Sequence, residues 1–270
     1  MLNIEFKVDE DIIACEVIAR SFMPNNLADY LWDKYRQSYM ILQKSPTSED
    51  KALDKSIINE LKQQDFFKNI IKQSEENCTR ISNIWNKSCD KINSFLKQIL
   101  KEEFSLNMTA YIISPKLKIG RNIHDNKLIW GHSDGLKDNS YDLVYLVHES
   151  LHSFFPRNNL THAIIENISD IELARYLNNS LDHYDYHPHT QSEHIKIYPF
   201  WNLYLGLTKQ EILKRQEFDK IKYDVDIYEN YREEMSKLNI TDFYEKMKIM
   251  SNNIEYTTYY IIGSRTCLQE

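Results

Sequence analysis

The stretch Ser140-Tyr141-Asp142-Leu143-Val144-Tyr145-Leu146-Val147-His148-Glu149-Ser150-Leu151-His152-Ser153-Phe154-Phe155-Pro156 decides how this chain reads. Val144, Val147, Leu151 and Phe155 recur at helical spacing, so residues 141–155 are predicted as an amphipathic helix with those four on its buried stripe. Ser140 is the expected N-cap and Asp142 suits the first turn. Pro156 is the expected stop. Within this helix lies HExxH. Positions four apart share a helix face, so His148 and His152 can hold one metal ion, with Glu149 aimed at a water in the ion's open position. Two imidazoles, a carboxylate and an open Zn²⁺ site are the parts of a metal-assisted hydrolase.

Catalytic zinc usually takes three protein ligands. A second helix is predicted over residues 161–178, and it carries Glu166 and Asp170 four apart on one face. The short loop 156–160 lets two helices pack side by side, which makes Glu166 a candidate ligand. Asp170, one turn on, is then placed to accept the free ring N–H of a liganding histidine. His162, one turn before Glu166, is the rival ligand.

HExxH followed by Ile165-Glu166-Asn167-Ile168-Ser169-Asp170 resembles the gluzincin metallopeptidases, the thermolysin-like clan, whose second helix reads Asn-Glu-x-x-Ser-Asp. The resemblance covers roughly residues 125–180. It implies Glu166 as third zinc ligand and Asp170 as support for a liganding histidine. Ile165 stands where the clan has Asn, and the gap from His152 to Glu166 is shorter than in thermolysin-like enzymes. It also implies a small sheet before the HExxH helix, with an edge strand, here residues 127–134, that pairs with a bound peptide. A Tyr or His donor to the oxyanion is implied too. Tyr259 or Tyr260, ahead of Gly263 in a predicted last helix, is the candidate, and the His-rich segment with His183, His187, His189 and His194 is the alternative. The metzincin pattern is absent, because Asn158 stands where it needs a third His.

Composition narrows the remaining classes. The chain has 270 residues, 42% hydrophobic, enough for a sizeable core. A net charge of −7 with scattered Lys and Arg argues against a nucleic-acid partner. Only 5 Gly and 6 Pro favour helix. No export signal and no membrane-length apolar run is read from the sequence. The cysteines Cys15, Cys78, Cys89 and Cys267 show no CxxC spacing, so they are read as free thiols and the protein as cytoplasmic.

Along the chain, residues 1–105 read as a helical N-terminal region, with candidate helices over 27–42 and 52–71 and a long amphipathic one over 81–100. Residues 106–270 read as the catalytic domain. Strands are expected over 109–113 and 127–130, a capped helix from Thr208, and a further helix over 241–250. The expected fold is α+β and predominantly helical, with one small sheet. The expected function is a zinc-dependent metallopeptidase with His148, His152 and Glu166 as ligands and Glu149 as general base, acting on a peptide or protein. Two other readings remain: a non-catalytic zinc or peptide-binding protein, and a helical interaction protein.

Overall fold

The structure is a computed structural model, and it describes residues 1–19, 59, 61–123, 125–184, 187–219, 221–250 and 260–261. It is predominantly helical with a small mixed sheet, the α+β class expected. The chain divides into two compact units. One comprises Met1–Asn93 and Ser105–Phe155, the other Ser94–Phe104 and Pro156–Glu270. No described helix is long and apolar enough to cross a membrane.

In the first unit, β1 (Leu2–Lys7) corrects the all-helical reading of the N-terminus. α1 (Glu10–Ala19) follows, then α2 (Asp65–Leu100), a 36-residue helix free of Gly and Pro whose residues from Ser94 count with the second unit. The candidate helix over 27–42 lies outside the described residues, as do residues 52–58 and 60 of the one over 52–71, whose later part is helical and runs into α2. Phe67, Ile70, Ile81, Trp85 and Ile92 repeat at helical spacing and are buried. The same stripe carries two polar residues that find partners. Ser74 Oγ donates to the Ile70 carbonyl, and Asn77 Nδ2 donates to the Ile113 carbonyl at 3.0 Å. β2 (Leu106–Ile112), β3 (Ile119–Ile123) and β4 (Lys127–Gly131) complete a sheet of order β1-β2-β4-β3. β1 and β2 are parallel, as are β2 and β4, while β3 runs antiparallel to β4.

That order corrects one expectation. Residues 127–131 form an inner strand, paired on both sides, and the edge beside them is β3, which the sequence reading left out. Gly120 on β3 faces Trp130 so closely that a Cβ there would enter the indole ring. The core joins Ile13, Val17, Phe67 and Ile70 to Ile113, Ile119 and Ile129.

α3 (Asn139–Leu151) carries the HExxH segment and packs on β3 and β4. Its N-cap is Asp138, whose carboxylate accepts from the Ser140 N–H and hydroxyl, so Ser140 sits inside the helix. The expected stripe of Val144, Val147, Leu151 and Phe155 is buried. The helix ends at Leu151, several residues before Pro156.

In the second unit, α4 (Asn159–Glu166) opens with a reciprocal Asn158–Thr161 capping box. It passes into a π-helical segment, Asn167–Leu173, and then α5 (Ala174–Asn178). The Ser169 hydroxyl bonds back to the Ile165 carbonyl, a contact that competes with the α ladder at the start of the widened turn. α6 (Gln191–Tyr204) brings Trp201 and Tyr204 against Phe243 of α10 (Ile240–Met250). Between them lie α7 (Lys209–Asp219), α8 (Val225–Tyr228) and α9 (Arg232–Lys237). A two-residue ladder pairs β5 (Ile221–Lys222) with β6 (Tyr260–Ile261).

Candidate functional site

The first unit fixes α3 through one buried acid. Asp142, fully buried, accepts from Trp130 Nε1 at 2.6 Å and pairs with the Arg80 guanidinium of α2 at 2.6 Å. Arg80 also donates to the Gly135 carbonyl at 2.9 Å. A Cβ on Gly135 would run into the Asp142 carboxylate, so this turn needs glycine. Burial pushes the Asp142 carboxyl above its usual range even though Trp130 and Arg80 oppose the shift. Strand β4, helix α2 and helix α3 thus meet at a single side chain two turns before the HExxH residues.

Tyr141, Tyr145, His148 and His152 succeed one another at spacings of four, three and four, which places them on one helix face. Tyr145 stacks on Trp130 with an interplanar angle of 11°. The next ring is His148, which is buried, and then His152, which is partly exposed. The Nε2 atoms of the two histidines stand 3.2 Å apart. Two imidazole nitrogens bound to one tetrahedral zinc, each about 2.0–2.1 Å from it, stand roughly 3.3 Å apart. The pair is at hydrogen-bonding distance, a separation that two ligands of one zinc ion would also have. At the far end of α3, Asn122 Nδ2 on edge strand β3 donates to the Glu149 carbonyl and to Ser153 Oγ, both at 2.8 Å. The helix turn carrying Glu149 is so tied to the sheet edge.

The second unit builds a second cluster around Glu166, the last residue of α4, which is wholly buried. Its Oε1 accepts from the His187 backbone N–H at 2.7 Å and faces His187 Nδ1 at 2.5 Å. Its Oε2 accepts from Thr190 Oγ1 and contacts His194 Nε2, both at 2.6 Å. His162 Nε2 lies 3.7 Å from Oε1. Burial alone would raise this carboxyl, but the His187, His194 and Thr190 bonds hold it far below the usual carboxylate range. A carboxylate has about four lone-pair sites, and four contacts address them here.

Asp170, also buried, accepts the Ser169 hydroxyl at 2.8 Å. Ligand atoms of Glu166, Asp170 and His187 all lie within 4.8 Å of one another. The π-helical turn between Glu166 and Asp170 is of a kind frequent at functional sites.

Tyr260 lies in β6, paired with Lys222, so the predicted last helix is not found at that residue; Tyr259 lies outside the described residues. The sequence reading placed Glu166 and Asp170 on one helix but did not connect Thr190, His187 or His194 to them. The density of histidine from His183 to His194 was the available signal. A second network in this unit surrounds Asp219, which pairs with Arg175, accepts the Tyr198 hydroxyl and faces His183. Comparison of the chain with family models, curated proteins and solved structures finds no match.

Proposed function

We propose that the chain is a zinc-dependent metallopeptidase. The observation that carries this reading is the His148–His152 pair on an HExxH helix, with Nε2 atoms at a separation two zinc ligands would also have. Two nitrogens and an adjacent carboxylate suit zinc better than the oxygen-seeking Ca²⁺ or Mg²⁺. His148, His152 and Glu166 would hold the ion, the last as the gluzincin resemblance implies. Zinc, when bound, supplies Lewis acidity toward a carbonyl oxygen and lowers the pKa of water toward neutrality.

The chain's own residues supply the rest. Glu149 takes the proton from the attacking water and passes it to the leaving amine. Its helical turn is held by Asn122, so its carboxylate is presented from a fixed backbone. Asp142 fixes the helix upstream and keeps the tyrosine–histidine face in place. An extended peptide adds to a sheet edge through main-chain hydrogen bonds with little demand on its sequence. In this fold the edge beside β4 is β3, which is therefore the proposed seat of the substrate. The donor to the oxyanion is proposed to be Tyr259 or Tyr260. A cytoplasmic location belongs to the same proposal, supported by the free thiols of Cys15, Cys78 and Cys89.

A general hydrolysis assay tests the activity. The purified chain, loaded with zinc, is incubated with a broad peptide library and the products are read by mass spectrometry. Cleavage that stops with a chelator and returns with zinc is the expected result. An intact library in the presence of folded, zinc-loaded protein contradicts the reading.

A further inference from the structure

The two oxygens of Glu166 differ in kind. The Oε2 side is a clamp. Its partners, Thr190 and His194, are buried at 0% and 1% exposure, and both belong to the turn and helix that begin at Pro188. The Oε1 side faces imidazoles that reach solvent, His187 with 45% of its side chain exposed and His162 with 21%. His187 is held twice over, by its backbone N–H and by Nδ1, both directed at Oε1. The ligand atoms of Glu166, Asp170 and His187 already converge within 4.8 Å, with His162 Nε2 beside them.

Two buried carboxylates in one cluster are costly unless positive charge compensates them. A divalent cation set between Oε1 and His187 Nδ1, in place of their direct contact, meets that need, while the clamp keeps Oε2 and the orientation of the carboxylate. An imidazole with a carboxylate behind or beside it is the usual dress of a zinc ligand.

We propose that His187 is a metal ligand of this chain, acting with Glu166 on the Oε1 side of that carboxylate, with Thr190 and His194 holding the other oxygen in place. The proposal rests on the zinc reading for the identity of the ion. It adds a ligand that the HExxH resemblance does not contain. His162 Nε2 borders the same oxygen, and with the buried Asp170 of the converging group the set comes to two imidazoles and two carboxylates.

Zinc affinity of the full chain, measured by competition with a chromophoric chelator, tests it. The variants are His187→Ala and His187→Gln, with His189→Ala as control. His189 is exposed and lies outside the converging set. Both His187 variants keep the backbone N–H that donates to Glu166, and the side chain removed is partly exposed. Circular dichroism checks their fold.

Loss of a supporting partner typically weakens metal binding by roughly 10–100-fold. The expected result is a loss greater than about 100-fold in both His187 variants, the range beyond a supporting role. His189→Ala should bind as the parent does. A smaller loss in either folded His187 variant overturns the proposal.

A His148→Ala/His152→Ala double variant separates this proposal from the zinc reading of HExxH. If the double variant keeps its zinc while the His187 variants lose it, the HExxH reading fails and His187 stands. If the double variant loses zinc and the His187 variants keep it, His187 fails and the HExxH reading stands. A parent chain that binds no zinc overturns both.

Discussion

Glu149 and Asp142 sit on one helix and do different work. Glu149 is the proposed base, so its removal should stop proton transfer and leave the metal site whole. Glu149→Gln is expected to lower peptide turnover by on the order of 10²–10⁴-fold while zinc content stays at the parent's level. Turnover near the parent's, measured on one defined peptide, would show that another group is the base. Asp142 is an anchor, and its energetics can be read from its partner. Arg80→Ala leaves the buried carboxylate its Trp130 bond but not its ion pair, and a buried pair broken from one side costs about 3–5 kcal/mol. Arg80 is a quarter exposed, so the lower end applies, about 3 kcal/mol in a denaturant titration.

The pH dependence of that loss has a definite sign. The folded pKa of Asp142 is already raised, and loss of the Arg80 charge raises it further. Stability tied to a raised carboxyl is present at low pH and falls as pH rises through the folded pKa. Arg80→Ala should therefore be more destabilising where Asp142 is ionised than at acid pH where it is protonated, as read by denaturant titration across the acid-to-neutral range. A loss that stays constant across that whole range would show that the pair carries no charge coupling.

At the scale of elements, the sheet edge ties down the helical turn that carries Glu149. Asn122 on β3 satisfies the Glu149 carbonyl and Ser153 together, so Asn122→Ala removes both bonds at once. A stability loss of about 1–3 kcal/mol is expected, together with reduced turnover at unchanged zinc content. Peptide bound along β3 should also slow amide exchange across residues 119–123, as read by hydrogen–deuterium exchange. Unchanged exchange there at saturating peptide would remove β3 as the substrate seat.

These elements were unevenly legible in the sequence. The HExxH helix was plain because Val144, Val147, Leu151 and Phe155 mark its buried stripe. The second helix was plain because its apolar spacing continues past Glu166. β1 was legible and still missed: Leu2-Asn3-Ile4-Glu5-Phe6-Lys7 alternates apolar and polar strictly, the period of a half-buried strand, but the helix-forming composition around it outweighed that period. β3 was missed because Ile119-Gly120-Arg121-Asn122-Ile123 has a glycine that only the facing Trp130 ring explains. The inner position of β4 follows from pairing order, which no local pattern encodes. The Glu166 clamp was hidden for a related reason, since Thr190 and His194 come from more than twenty residues away and meet Glu166 only through the path of the chain.

On the scale of the whole molecule, stability and metal binding give the two global readouts. In the second unit burial would lower the His183 pKa, but the Asp219 bond and the Tyr184 carbonyl raise it. Burial would raise Asp219, but His183, Arg175 and Tyr198 hold it below the usual range. A raised histidine stabilises fully below its unfolded pKa of about 6.5 and loses that contribution as pH rises through the folded value. A lowered carboxylate stabilises above its unfolded pKa of about 3.9 and loses that contribution as pH falls toward the folded value. This network should therefore add stability between those limits, and His183→Gln should flatten the loss on the alkaline side. An unchanged alkaline slope in that variant would show that the pairing does not titrate there.

The central claim is that His148 and His152 hold zinc, and elemental analysis after dialysis tests it most directly. The account predicts one zinc per chain in the parent and none retained in the folded His148→Ala/His152→Ala variant. A folded parent that stays metal-free after exposure to zinc, or a double variant that keeps its zinc, would contradict it.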